Sequence, residues 1–119
     1  MNIENVAYSI STRIPSAPIT SAEKDLFIDL FSKNGSLFET ISAEDLNLED
    51  RDQITYLLPK ILPGTAIVSS HFTRGNIDPV TGKRHSSWRI VIERRNTLYA
   101  GSGRKYSRAL LCAILRTQA

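Results

Sequence analysis

The chain has 119 residues, 41% of them hydrophobic and 23% charged, and its 15 Lys and Arg against 12 Asp and Glu give a formal net charge of +3. That is one domain's worth, residues 1–119, long enough to bury a core without disulfides or a metal. Its single cysteine, Cys112, excludes an internal disulfide, no apolar run reaches the length of a membrane span and no basic-then-apolar leader opens the chain, so a cytoplasmic protein without a membrane partner is expected.

The charge is unevenly spread. Residues 1–60 carry 5 Lys/Arg and 10 Asp/Glu, a balance of −5; residues 61–119 carry 10 and 2, a balance of +8. Either the basic half meets a polyanionic or acidic partner, or the two halves neutralise each other across the fold.

In chain order, "NVAYSISTRI" alternates: Val6, Tyr8, Ile10, Thr12 and Ile14 share one parity, which predicts a half-buried strand ended by "PSAP". "TSAEKDLFIDLFSKNG" predicts a helix. Thr20 or Ser21 caps it, Thr20 and Glu23 have capping-box spacing, Leu26, Phe27, Leu30 and Phe31 make its stripe, and Asn34-Gly35 stops it. "AEDLNLEDRDQITYLLPKI" predicts a second helix, or two short ones, with acid in the first turns and Ile54, Leu57 and Leu58 on one face. Pro59 limits it and "LPGT" closes it.

From Thr65 the period changes to two. "TAIVSSHFTR" is expected as a strand with Ala66, Val68, Ser70 and Phe72 on one face. The turn-rich "GNIDPVTGKRHS" follows, then "SWRIVIERR", with Trp88, Ile90 and Ile92 facing the core and Arg89, Val91 and Glu93 facing away. "RRNT" reads as a tight turn and "TLYAGSG" as the next strand. A helix over about 104–116 ends the chain. The expected class is α+β: an antiparallel three- or four-stranded sheet with helices packed on it, in the order β-α-α-β-β-β-α.

On a helical wheel Tyr106, Leu110, Ala113 and Ile114 face the sheet, while Arg104, Lys105, Arg108 and Arg116 gather on the opposite flank around Cys112. Gly101 and Gly103 permit unusual backbone angles before the helix, whose free N–H groups beside Arg104 and Lys105 would suit an anion. No P-loop spacing is present. "GSGRKYSRALLCAIL" and "GKRHSSWRIVIE" resemble the last part of a double-stranded-RNA-binding domain, a resemblance covering residues 66–115. It implies a helix on three antiparallel strands, phosphate contacts from Arg104, Lys105 and Arg108, and Lys83, Arg84 and His85 in a connection that enters the minor groove. The leucines of the last helix and the long connection around Pro79 depart from that pattern. The helix is also similar in texture to small phage proteins that hold a sheet between helices.

The candidate binding residues are therefore Arg104, Lys105 and Arg108, with Arg94 and Arg95 in the neighbouring turn, Lys83, Arg84 and His85 in the long connection, and Arg74 beside it. Each has an ordinary alternative as a solvated surface charge. Trp88 reads as core, or as an interaction anchor if its face is open. His71 and His85 lack companions at metal-ligand spacing, so neither a metal nor any cofactor is expected. No nucleophile–base pairing stands out, and Cys112 reads as packing, so no enzyme activity is expected. The acidic segment 39–52 reads as an exposed surface, or as a mimic of nucleic-acid charge. The sequence thus points to a small binding module holding nucleic acid or an acidic partner mainly through charge. The alternative is a phage-type accessory or inhibitor protein, counter-defence included, that blocks another protein; a homodimer through an edge strand is compatible with either.

Overall fold

The segment expected as a first strand is a helix. The structure, a computed structural model, describes residues 2–32 and 41–119, and α1 spans Ile3–Thr12. Val6 and Ile10 satisfy the period of two, but Ile3, Val6, Ala7 and Ile10 also satisfy the helical period, and Val6, Ala7 and Ile10 are the ones buried. Tyr8, which a strand would have turned inward with them, is 64% exposed. The Asn2 side chain caps the helix by accepting from the Asn5 N–H at 3.1 Å. Ser11 and Thr12 hydroxyls donate back to the Tyr8 carbonyl, a local bond a strand does not offer.

Helix α2 spans Ser21–Ser32 with Thr20 as cap, and the capping box forms both ways. The Glu23 N–H donates to Thr20 Oγ1 at 3.2 Å, and the Thr20 N–H to Glu23 Oε1 at 2.8 Å. The Asn34-Gly35 stop lies outside the described residues, as does Glu39. Helix α3 is shorter than expected, Arg51–Ile61, because Asp50 caps it and 42–50 form turns. Asp50 Oδ1 accepts from the N–H groups of Asp52 and Gln53. The helix runs two residues past Pro59 and buries Ile54, Leu57, Leu58 and Ile61.

Strands β1 (Ala66–Thr73), β2 (Ser87–Arg94) and β3 (Thr97–Gly103) form one antiparallel sheet in that order. Arg95 and Asn96 take the β2–β3 turn at φ of 53° and 63°, the two-residue left-handed turn whose twist suits a hairpin. Helix α4, Tyr106–Arg116, lies on β2 and β3, with α1 and α3 packed against it from elsewhere on its circumference. The observed order is α-α-α-β-β-β-α.

Because neighbours surround α4, every residue from Ser107 to Leu115 is buried. Its Leu110, Leu111, Ile114 and Leu115 join Ile90 and Ile92 of β2 and Phe27, Phe31, Ile54 and Leu57 in one core. Each such side chain contributes roughly 1.5–3 kcal/mol by transfer from water. The glycines of β3 serve this contact and not an unusual φ: a Cβ on Gly101 would stand 2.1 Å from the Ala109 carbonyl oxygen. The corner "YAGSGRKYSRALLCAIL" is thus where the last strand and last helix touch backbone to backbone.

Strand β1 reaches beyond this cover. A bulge between Ile67 and Ser69 leaves Val68 without a partner and shifts the register, and Ser70 and Phe72 share the helix side with Ile90 and Trp88. All of β1 except Ile67 is exposed.

Candidate nucleic-acid interface

The basic residues of the C-terminal half separate into two groups. Those of α4 and its approach are drawn into the fold. Arg108, expected on an exposed flank, has no exposed surface at all. Its Nε donates to Glu49 Oε1 at 2.9 Å and its Nη2 to Glu49 Oε2 at 3.1 Å. The same guanidinium donates to the carbonyls of Ile14 at 2.9 Å and Ala17 at 2.7 Å, with Arg13 and Pro15 at 3.4 and 3.3 Å. Arg108 therefore cannot grip a phosphate. It fastens the connection between α1 and α2. Lys105 donates to Glu49 Oε2 at 2.8 Å, and Arg116 pairs with Glu4 and the Ala100 carbonyl. Arg13 pairs with Glu23. Each carboxylate comes from the acidic early half, so the internal neutralisation weighed from the sequence holds for this group.

Burial pushes the Glu49 carboxyl upward, but hydrogen bonds and positive charge from Arg108 and Lys105 outweigh it and hold it below its ordinary value. Glu23 behaves likewise: burial raises it, and Arg13 with the Thr20 donors brings it below its usual value. Burial raises the thiol of Cys112, which lies in the core and donates to the Ala7 carbonyl.

The second group is carried by the sheet and its hairpins. Residues 66–104 hold seven Lys/Arg and two Asp/Glu. Among the described residues no carboxylate pairs with Arg74, Lys83, Arg84, Arg89, Arg94, Arg95 or Arg104. Arg89 lies in a row with His71 and Ser102 on the sheet face opposite α4, because directly paired residues share a side. Arg95 sits at the β2–β3 turn. Arg94 faces the helix side, and its Nε is buried without a partner.

The long connection is itself a short hairpin. Asp78 and Lys83 are joined N–H to carbonyl at 2.7 Å, His85 and Asn76 at 3.1 Å, and Ile77 bridges Arg84. Asp78 Oδ1 accepts from the Val80 and Thr81 N–H groups and Oδ2 contacts His85 Nε2 at 3.2 Å. These bonds, the Val80 N–H first, keep the Asp78 carboxyl below its ordinary value. Arg104 ties the hairpin to the α4 approach: Nε donates to the Ser86 carbonyl at 2.9 Å, Nη2 to the Arg84 carbonyl at 3.2 Å, and Nη1 to His85 Nδ1 at 3.4 Å. An arginine only donates, so His85 Nδ1 accepts and its proton sits on Nε2, toward Asp78.

The result is a cleft of about 430 Å³ between this hairpin and the α1–α2 connection, lined by Lys83, Arg84, His85 and Arg104 on one side and Ile14 and Pro15 on the other. Four candidate residues thus meet in one place. Arg74 lies outside the cleft lining, Arg94 and Arg95 belong to the other hairpin, Lys105 is committed to Glu49 and Arg108 is internal.

Sequence reasoning missed three participants. Ile14 was assigned to a strand face, yet it is 58% exposed at the cleft. Arg89 and His71 become neighbours only through the β1–β2 register. An aromatic cluster also forms at the sheet edge, with Phe72 tilted against Trp88 at a centroid distance of 5.1 Å and Trp88 edge-on to Tyr106 at 5.2 Å. Arg51 caps it, 3.9 Å from the Tyr106 centroid. Trp88 is half-buried at the margin of the core. No His/Cys/Asp/Glu group of metal-binding size occurs among the described residues, nor does a helix long and apolar enough to cross a membrane. No family model, no curated protein and no solved structure matches the chain.

Proposed function

We propose that the protein is a non-enzymatic binding module that holds nucleic acid through the cations of its sheet and hairpins. The observation that carries this reading is the sorting of charge. Two carboxylates of the acidic early half, Glu4 and Glu49, pair with the cations at α4, while Arg74, Lys83, Arg84 and Arg89 are left facing solvent without carboxylates. Such a surface attracts a phosphate backbone, and each neutralised phosphate releases counterions. Guanidinium and ammonium groups outnumber side chains suited to reading base edges, so recognition is mainly of backbone and shape.

The test is fluorescence anisotropy with duplex RNA, duplex DNA and single strands at two salt concentrations. Affinity should fall as salt rises, with a log–log slope of about 0.7–0.9 per phosphate contacted. Lys83→Glu with Arg84→Glu should weaken binding to every sequence alike. Absence of salt-dependent binding to all three forms would remove the reading.

A second reading, an accessory or inhibitor protein that covers another protein's surface, is favoured by one observation. Edge strand β1 contains no Lys, Arg, Asp or Glu, and it exposes Val68 by 50% and Phe72 by 47%. Uncharged exposed edges pair readily with a further strand. Strand pairing would be mapped by amide hydrogen exchange: protection gained along 66–73 with a captured partner supports it.

A further inference from the structure

We infer that the cleft between the 74–86 hairpin and the α1–α2 connection is a discrete site for a nucleoside phosphate, either a free nucleotide or the phosphorylated end of a strand. The strand-end case rests on the nucleic-acid reading; the free-nucleotide case does not. The two walls differ in chemistry. On the hairpin wall Lys83 makes no side-chain hydrogen bond among the described residues, so its ammonium donors are open, and Arg84 spends one N–H on the Gly75 carbonyl at 3.4 Å. Arg104 spends three on the hairpin, which leaves two of a guanidinium's five free and fixes the direction in which they point. The one carboxylate present, Asp78, is turned into its own hairpin by two backbone N–H groups and His85.

The opposite wall is formed by Ile14, Pro15 and Ser16, and carries no charge. Ile14 and Pro15 stand exposed there, and their backbone carbonyls are held from behind by the buried Arg108. An isoleucine exposed beside fixed cations suits a ligand with an anionic head and an apolar, planar body. The volume, about 430 Å³, falls within the usual range for small-ligand sites, roughly 300–1,000 Å³. A phosphate monoester on the hairpin donors with its base against Ile14 and Pro15 meets both walls at once. Inorganic phosphate meets only one, and an unphosphorylated nucleoside only the other.

The experiment is a titration of the full chain, followed by amide chemical shifts, with a nucleoside 5′-monophosphate, inorganic phosphate, the unphosphorylated nucleoside, and an oligonucleotide with and without a 5′-phosphate. The monophosphate should bind more tightly than phosphate or nucleoside by about tenfold or more, as charge-assisted hydrogen bonds allow. The shifts should centre on Ile14, Ser16, Lys83, His85 and Arg104. Lys83→Ala with Arg84→Ala should erase the advantage over the nucleoside. Ile14→Ser should erase the advantage over inorganic phosphate; it keeps the carbonyl that Arg108 holds and alters only an exposed side chain, so the fold is retained. A 5′-phosphate that tightens the oligonucleotide identifies strand ends as the source, and tight binding of the monophosphate alone identifies free nucleotide. A monophosphate no tighter than the nucleoside, or shifts outside the cleft, would overturn the site. Salt-dependent oligonucleotide binding blind to the 5′ group, together with a monophosphate that does not bind in the cleft, would overturn it too, while leaving the broader reading standing. Monophosphate binding in the cleft without any oligonucleotide binding does the reverse.

Discussion

Arg108 and Glu49, 59 residues apart in the chain, meet at 2.9 Å, the arginine wholly buried and the carboxylate side chain 22% exposed. The pair joins α4 to the segment before α3, and the same guanidinium ties down the α1–α2 connection through its carbonyls. Removing one member of a buried pair leaves the other uncompensated, which costs about 3–5 kcal/mol. Arg108→Met also orphans carbonyls between Arg13 and Ala17. It should destabilise at least as much as Glu49→Gln in urea unfolding, and Lys105→Met, whose side chain is 42% exposed, much less. Equal midpoints for Arg108→Met and Lys105→Met would contradict this account of the clamp.

Stability should decline in acid. Glu49 and Glu23 both lie below their ordinary values when folded. A depressed carboxyl contributes fully above the unfolded glutamate's pKa, about 4.3, and loses that contribution as pH falls through the lower folded value. Thermal midpoints measured from neutral pH down to pH 3 should hold level and then drop below pH 4–5. In Glu49→Gln the drop should be shallower, because one of the two groups no longer titrates.

Gly101 and Gly82 should respond differently to alanine. At Gly101 the new Cβ meets backbone of α4 at 2.1 and 2.3 Å. Strand and helix must part, an overpacking cost of about 1–3 kcal/mol or more. At Gly82 nothing lies within 4 Å and φ is +70°, so only left-handed strain of about 1–2 kcal/mol applies. Gly101→Ala should therefore also move amide shifts along β3 and α4, whereas Gly82→Ala should move only those of its own hairpin.

Phe72→Ala removes the ring that packs at a tilt against Trp88, the only tryptophan. Phe72 is 47% exposed, so the loss should be modest, about 0.5–1.5 kcal/mol as for other aromatic pairs. The tryptophan emission should shift to the red as its face opens to water. An unchanged spectrum would mean that Phe72 does not shield it.

Where local chemistry is strong, sequence and structure agree. The Thr20–Glu23 capping box, the alternation of Trp88, Ile90 and Ile92 against Arg89 and Glu93, and the tight turn over "RRNT" are short-range patterns, and each appears where expected. At Val6–Ile14 two periods fit the same residues. A cap at Asn2 and the burial of Ala7 under α4 decided between them, and neither lies in the alternation. Of the candidate site, the cleft members Lys83, Arg84, His85 and Arg104 were legible as a basic loop and corner. Ile14 was not, since its place opposite them is made by Arg108 reaching across the chain.

Periodicity, turn residues and caps, all interactions within a few residues, determined on their own where the three strands after Thr65 and the last helix lie and that the sheet is antiparallel. Only the tertiary structure decided which cations face water. A helical wheel shows that Arg108 opposes the sheet-facing residues, but whether that side meets solvent depends on what else packs there. Here α1, α3 and Glu49 arrive from far along the chain to enclose it. Exposure belongs to the packed assembly of segments, and no single segment carries that information.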